Sequence, residues 1–394
     1  MSKDFDMTQH EHRQPRGWVR SVAVRGGILV GMMFGALSAF AQSVPVDRHE
    51  GVSLTYDLSQ SRGDWIFRPQ QQAHYTPGDI HGSRTSFVCR SAVDTTVGAC
   101  ATVPENLPDG PPTVVMLRFT EQRSKHTVDL GLTARKVVTV SGSTCTHRLL
   151  PFNTDRNLNR CAGRPYDVSR YLLTIPAAEL ARLPVGGIWR GRFEFDLREV
   201  GSTGASATHS YDIELNVTDT QNAQIYFPTL SNTAPRVAMD LQRRPGVGFR
   251  PLVFGGRSVD ICYYDGFGSN STGALRVRAA SEREVFPPPS TGNGVLIRQD
   301  TNGSQPQQRI EYRLGMNYAG AYQWLRIGDA GGTAFGAVSQ APIRIVRLPG
   351  MPVAVACTPA ALAFEIVPFL ESEKDAGRYD GRIRIEMFVD AAGI

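Results

Sequence analysis

The chain has 394 residues, 41% hydrophobic and 20% charged, with 42 Lys and Arg against 37 Asp and Glu, a formal net charge of +5. That length accommodates two domains of about 100 to 200 residues each. A positive balance this mild argues against nucleic acid as a partner.

At the amino terminus, Arg13, Arg16, Arg20 and Arg25 precede the apolar run GGILVGMMFGALSAF, and Ala39-Phe40-Ala41 supplies a small-residue cleavage pattern. Residues 1–41 read as a secretory signal peptide. Their apolar run falls short of the roughly 20 residues a membrane span needs. An exported chain of 353 residues is expected from Gln42, at about +3 once the leader's net two positive charges are removed. All six cysteines, Cys89, Cys100, Cys145, Cys161, Cys262 and Cys357, lie in it. An even number in an exported protein reads as disulfides, and six cysteines allow fifteen pairings. Proximity favours Cys89 with Cys100 and Cys145 with Cys161, leaving Cys262 for Cys357. None of the cysteine spacings is CxxC, so zinc is not favoured.

Period-two alternation dominates the rest of the chain. VVMLRF, RKVVTVS and RFEFDL in the first half, LRVRAA and APIRIVRL in the second, and the runs Tyr211–Val217 and Ile383–Val389 all read as strands with one buried face. One helical stretch stands out, PAAELARL at 176–183, with Pro at its start. Thr208-His209-Ser210 reads as a turn before the strand at Tyr211. TDTQNAQ is a polar link before IYF opens a new apolar run, so a boundary is expected at 219–222, with four cysteines before it and two after. PPPSTGNG and DTNGSQPQQ read as surface turns. An all-β fold of two sandwiches is expected, 42–218 and 223–394. The last strand, RIRIEMFVD, runs to the end of the sequence at Ile394. Without a further neighbour it would leave unpaired backbone groups and an open apolar groove.

In IWRGRFEFDLRE, Trp189, Phe193, Phe195 and Leu197 alternate toward the core, so Arg190, Arg192, Glu194, Asp196 and Arg198 share the opposite face. Arginine's planar fork suits carboxylates. Arg192 and Arg198 would lie about 20 Å apart in an extended strand, too far for one monosaccharide pocket. Against a binding role stands the plainer reading of a solvated charged face. Glu194 and Asp196 are about 7 Å apart by strand spacing, near the separation used by glycoside hydrolases. Adjacent arginines would keep both ionised, whereas one must be a general acid. No HExxH, G-x-S-x-G, phosphate-loop or EF-hand pattern occurs, so neither a catalytic site nor a metal or other cofactor is expected.

LNVTDTQNAQIYFPTL, APRVAMDL, SVDICYYDGFGSNST and AGRYDGRIRIEMFV resemble the pilin domain of minor fimbrial subunits in the CfaE and CblD family, the tip adhesins of class 5 pili. The likeness covers residues 211–394; over 42–210 it rests on GGIWRGRFEFDL and VCRSAVDTTVGAC. It implies two immunoglobulin-like sandwiches, an adhesin domain and an incomplete pilin domain lacking its last strand. A periplasmic chaperone would cover the groove, and the major pilin would then replace the missing strand by strand addition at the outer-membrane usher. The protein would pass through the periplasm to the fimbrial tip at the cell surface. The exported start QSVPVDRHEG lacks a long donor strand of its own, as suits a subunit with no neighbour beyond it. By the same resemblance, basic residues near the end of the IWRGRFEFDLRE strand bind a host glycan, sialylated in family members. The matching position is Arg198, where this chain has only REV in place of a basic run, with Arg90 beside Cys89 as a second candidate. A tip assembly initiator without receptor binding is the alternative.

Overall fold

The structure is a computed structural model that describes residues 43–156, 158, 160–230, 235–245, 250–290 and 292–390. The signal peptide expected over 1–41 lies outside the described residues.

The amino-terminal domain holds β1 (Arg48–Asp57), β2 (Trp65–Tyr75), β3 (Ser86–Cys89), β4 (Thr113–Glu121), β5 (Thr127–Thr139), β6 (Thr146–Pro151), β7 (Val168–Ile175), β8 (Gly187–Arg198) and β9 (Ala207–Thr218). They form one sheet in the order β1-β9-β8-β4-β5-β7-β2, with β3 on β8 and β6 on β5. The sheet curls, because β8 and β7 are separated by β4 and β5 yet the rings of Phe195 and Tyr171 lie 5.2 Å apart. Alternation supplies the filling: Trp189, Phe193, Phe195 and Leu197 of β8 and Tyr211, Leu215 and Val217 of β9 are fully buried. The sheet's two outer strands, β1 and β2, meet through side chains. Glu50 on β1 pairs with Arg68 on β2, and the Arg68 guanidinium sits 5.0 Å from the centroid of the Tyr211 ring.

Two local readings need correction. The helix expected over 176–183 is a single turn, α2 (Ala177–Leu180), preceded by another at α1 (His81–Arg84). Only Leu180 of α2 is buried, so the turn has no apolar face along which to extend. Thr208-His209-Ser210 is not a turn, since β9 already begins at Ala207. His209 is buried, with Nδ1 bonded to the Tyr171 hydroxyl at 2.8 Å and Nε2 to the Val46 carbonyl at 3.1 Å. A polar residue thereby takes an inward strand position once its ring nitrogens are satisfied.

The carboxy-terminal domain holds β10 (Gln224–Tyr226), β11 (Asp240–Arg244), β12 (Leu252–Tyr264), β13 (Ala274–Ser281), β14 (Gly294–Arg298), β15 (Arg309–Tyr318), β16 (Ala321–Leu325), β17 (Thr333–Ala337), β18 (Arg344–Val346), β19 (Val355–Leu370), β20 (Tyr379–Asp380) and β21 (Ile383–Val389). The larger sheet runs β10-β12-β19-β15-β14-β20, and the smaller runs β17-β13-β21. Leu275 and Val277 of the smaller sheet share a core with Ile261, Leu314, Met316 and Leu362 of the larger. Disulfides join Cys89 to Cys100, Cys145 to Cys161, and Cys262 on β12 to Cys357 on β19.

The loop after β12, DGFGSNS, forms the junction between the domains. Asp265 accepts from the amides of Phe267 and Ser269 at 2.9 and 2.8 Å and from the Ser271 hydroxyl at 2.6 Å, folding the loop tightly. Its Gly266 carbonyl accepts from the Asp219 amide at 2.7 Å, just before the single 3-10 turn Thr220–Asn222. A Cβ on Gly186 would stand 2.1 Å from that carbonyl, so only glycine allows this approach. Glu121, 1% exposed at the end of β4, accepts from the amides of Arg123 and Ser124 and from Asn270 Nδ2 at 3.0 Å. The Arg123 guanidinium donates onward to the carbonyls of Ser269, Ser339 and Ala341.

Lys136 is fully buried on β5, donating to the Thr154 carbonyl at 2.7 Å. Burial pushes its pKa down to about 7. The unfolded chain would carry this proton up to about pH 10.4, so stability should rise with pH from about 7 to about 10. Lys136→Met is expected to flatten that rise and raise stability at pH 7 by a few kcal/mol, read from urea midpoints at several pH values.

Candidate functional site

Because β8 alternates, its polar residues emerge on the outer face beside those of β9 and β1. Arg192 lies opposite Asp212, and Arg190 opposite Glu214. The structure brings Arg90 and Arg192 together on one carboxylate: Arg90 Nη1 donates to Glu194 Oε2 at 2.8 Å, and Arg192 Nε to Oε1 at 2.6 Å. Arg190 Nε donates to Glu214 at 2.9 Å. Arg192 also lies 3.6 Å from Asp212, which His49 approaches at 3.2 Å. Each of these three guanidiniums is thus matched by an acid.

Arg198 stands apart at the far end of β8, opposite Ser86. Its Nη1 makes one long bond of 3.4 Å to the Thr203 carbonyl, and its Nε is buried with no hydrogen-bond partner among the described residues. Of the four candidate arginines it is the one without a carboxylate partner among the described residues.

Beside Arg190 and Arg192 runs an open trough of about 630 Å³ that sequence reasoning did not identify. Gly51 on β1 contributes no side chain to its wall, and Gly191 lets β8 approach the Arg118 carbonyl, where a Cβ would stand at 3.0 Å. Arg118 is held by both Asp129 oxygens at 2.8 and 3.1 Å. Gly51, opposite Asp212, was the available signal.

Glu194 and Asp196 have different surroundings. Burial raises the Glu194 pKa, but the hydrogen bonds from Arg90 and Arg192 outweigh it and hold the carboxyl below its usual range. A general acid needs the opposite shift. Asp196 accepts from the Thr208 hydroxyl at 3.0 Å.

A second candidate site is the open side of the carboxy-terminal core. β21 pairs only with β13 among the described residues, leaving its other edge without a strand. Its alternating Ile383, Ile385, Met387 and Val389 are only partly buried, as are Ile225, Phe227, Val237 and Met239 at the domain's start. All five residues of β11 are exposed. The centre of the core is closed by Leu275, Val277 and Leu314, each at most 1% exposed.

The family model for the first domain of the CFA/I fimbrial subunit CfaE matches residues 37–220, and that for its second domain matches 223–391. The CFA/I fimbrial subunit CfaE of Escherichia coli is 29% identical over 309 residues, 77% of this chain and 79% of that relative. Among solved structures, CfaE, the adhesive subunit of CFA/I fimbria of enterotoxigenic Escherichia coli, is 25% identical with a TM-score of 0.76. The match covers 90% of this chain and 95% of that one. A chain from a chaperone–tip adhesin complex of CFA/I fimbriae shares the fold at 24% identity and a TM-score of 0.64, over 89% and 98% of the two chains.

Glu194, with its lowered pKa, contributes stability that is present above about pH 4.3 and lost as pH falls through its folded value. Glu194→Gln is expected to reduce acid sensitivity below pH 5 and to cost about 1 kcal/mol or less at pH 7, because both partner arginines are half exposed. Urea unfolding at pH 4 and pH 7 reads both effects.

Proposed function

This chain belongs to the CfaE family of fimbrial tip adhesins, and on that premise we propose a division of labour between its domains. Residues 42–218 bind a host-surface glycan, residues 219–222 link, and residues 223–394 attach the protein to the shaft by accepting a donor strand from the major pilin. A periplasmic chaperone holds the open domain first and delivers it to the outer-membrane usher, after which the protein stands at the fimbrial tip on the cell surface.

The observation that carries the reading is the unpaired edge of β21 with its alternating, partly buried Ile383, Ile385, Met387 and Val389. A strand laid along that edge would satisfy its backbone groups, and its alternate side chains would cover the partly buried Ile383, Ile385, Met387 and Val389.

For glycan binding, the support lies in Arg198. Arg90, Arg190 and Arg192 already face carboxylates, so an acidic sugar would have to compete with Glu194 and Glu214 for them. Arg198 faces the Thr203 carbonyl and has no acid to displace among the described residues. A sugar carboxylate held there by a charge-assisted bond would gain on the order of 2 kcal/mol.

Two measurements test the proposal. Adding a synthetic peptide of the major pilin's amino-terminal extension to the full exported chain should raise its melting temperature markedly. An unchanged melting temperature, with no peptide bound, would contradict strand donation. In correctly assembled pili, Arg198→Ala should lower adhesion to glycan-bearing cells by at least about ten-fold, while Arg190→Ala changes it little. Equal adhesion by the Arg198 variant removes the receptor assignment and leaves the initiator role.

A further inference from the structure

On the outer face of the larger carboxy-terminal sheet, the short strand β16 presents Tyr322 and Trp324, 44% and 43% exposed. Trp324 lies opposite Gly315 on β15, and Tyr322 opposite Asn317. Their rings meet edge to face, 5.3 Å between centroids at 86°. The Tyr322 phenol reaches across β15, since a Cβ on Gly315 would lie 2.1 Å from its Oη, and its pKa is raised by burial and by the Glu365 carboxylate on β19. The Arg313 guanidinium stands 5.9 Å from the Trp324 ring centroid, and Arg313 is the register partner of Glu365. Next along β19, Ala363 and Ala361 leave the sheet surface low beside the rings.

Part of this arrangement has a purely structural account. An aromatic ring laid over a strand glycine restores packing that glycine cannot provide. Tyr322 does this for Gly315. The space above Gly315 is then occupied, so Trp324 serves no such purpose, and an indole left almost half exposed beside a tyrosine is a recognition feature.

We propose that Tyr322 and Trp324 form a stacking platform for a neutral hexopyranose, separate from the β8 arginines. One face of a pyranose presents C–H groups of slight positive charge, which complement the negative face of an aromatic ring. Glu365 offers acceptors and Arg313 donors at the rim for the sugar hydroxyls. Their charges are opposite and they face each other across the β15–β19 register, so as a pair they offer no net attraction to an anionic sugar. An uncharged, polyhydroxylated ring with one apolar face is the ligand this combination fits.

The test uses the full exported chain with methyl β-D-galactopyranoside and methyl β-D-glucopyranoside as probes, and N-acetylneuraminic acid as competitor, read by saturation-transfer NMR. At least one neutral glycoside should bind saturably, with strongest transfer to ring C–H protons of one face. Trp324→Ala should weaken it about ten-fold or more at an unchanged melting temperature, Trp324→Phe should restore part of the affinity, and Arg198→Ala should leave it unaltered. The proposal is overturned by absence of saturable binding of both glycosides, by equal binding in Trp324→Ala, or by displacement with N-acetylneuraminic acid. Because Arg198 and Trp324 are read separately, failure here is distinguishable from failure of the receptor assignment above.

Discussion

A carboxylate removed from water must have its oxygens satisfied, and in this protein that demand falls on Glu121 at the junction. Its acceptors gather the turn after β4, the start of β8 through the Ile188 amide, and Asn270 from the loop after β12. Once these groups converge, Arg123 is placed to donate to four carbonyls of the second domain. The backbone bond from Asp219 to Gly266 completes the contact. The starting point of β8 is set here, and from it follow the outward positions of Arg190, Arg192 and Glu194. The same loop continues β12, whose Cys262 is tied to β19, the central strand of the second domain.

The strands were largely legible because one-sided burial imposes a two-residue period that the string of residue types reveals. Trp189, Phe193, Phe195 and Leu197 lie inward as the pattern of β8 indicates. Where a polar residue takes an inward position, hydropathy misleads: His209 is bonded to Tyr171 and Val46, and its strand begins earlier than its composition suggests. Lys136 is an extreme case, since a buried ammonium satisfied by one carbonyl leaves no mark on the pattern. The stretch DGFGSNS was recognisable as distinctive, yet its use as a junction depends on Gly186 and Arg123, which are remote in sequence.

The outer face of β8 separates what a sequence can count from what it cannot pair. Arginines and acids at alternate positions are visible in the string, as is their common side. Their partners come from β9, β1 and the loop after β3, and only that assembly turns Arg90 and Arg192 into a neutralised group around Glu194. Arg198, similar in sequence, differs because its neighbours at the strand's end supply a carbonyl in place of an acid. Functional contrast among like residues is therefore a property of cross-strand register.

The parallel pairing of β1 with β9 sets an order of events as well as a shape. Arg48 lies beside His209 and Asp57 beside Thr218, so the first strand finds its partner about 160 residues later along the chain. An amino-terminal strand of this kind waits, its edge unsatisfied, until the last strand of its domain is made. Closing so long a loop costs entropy that local hairpins such as β4–β5 do not incur. The waiting time is a window for mispairing, and its length is fixed by topology and by the rate at which the intervening chain becomes available.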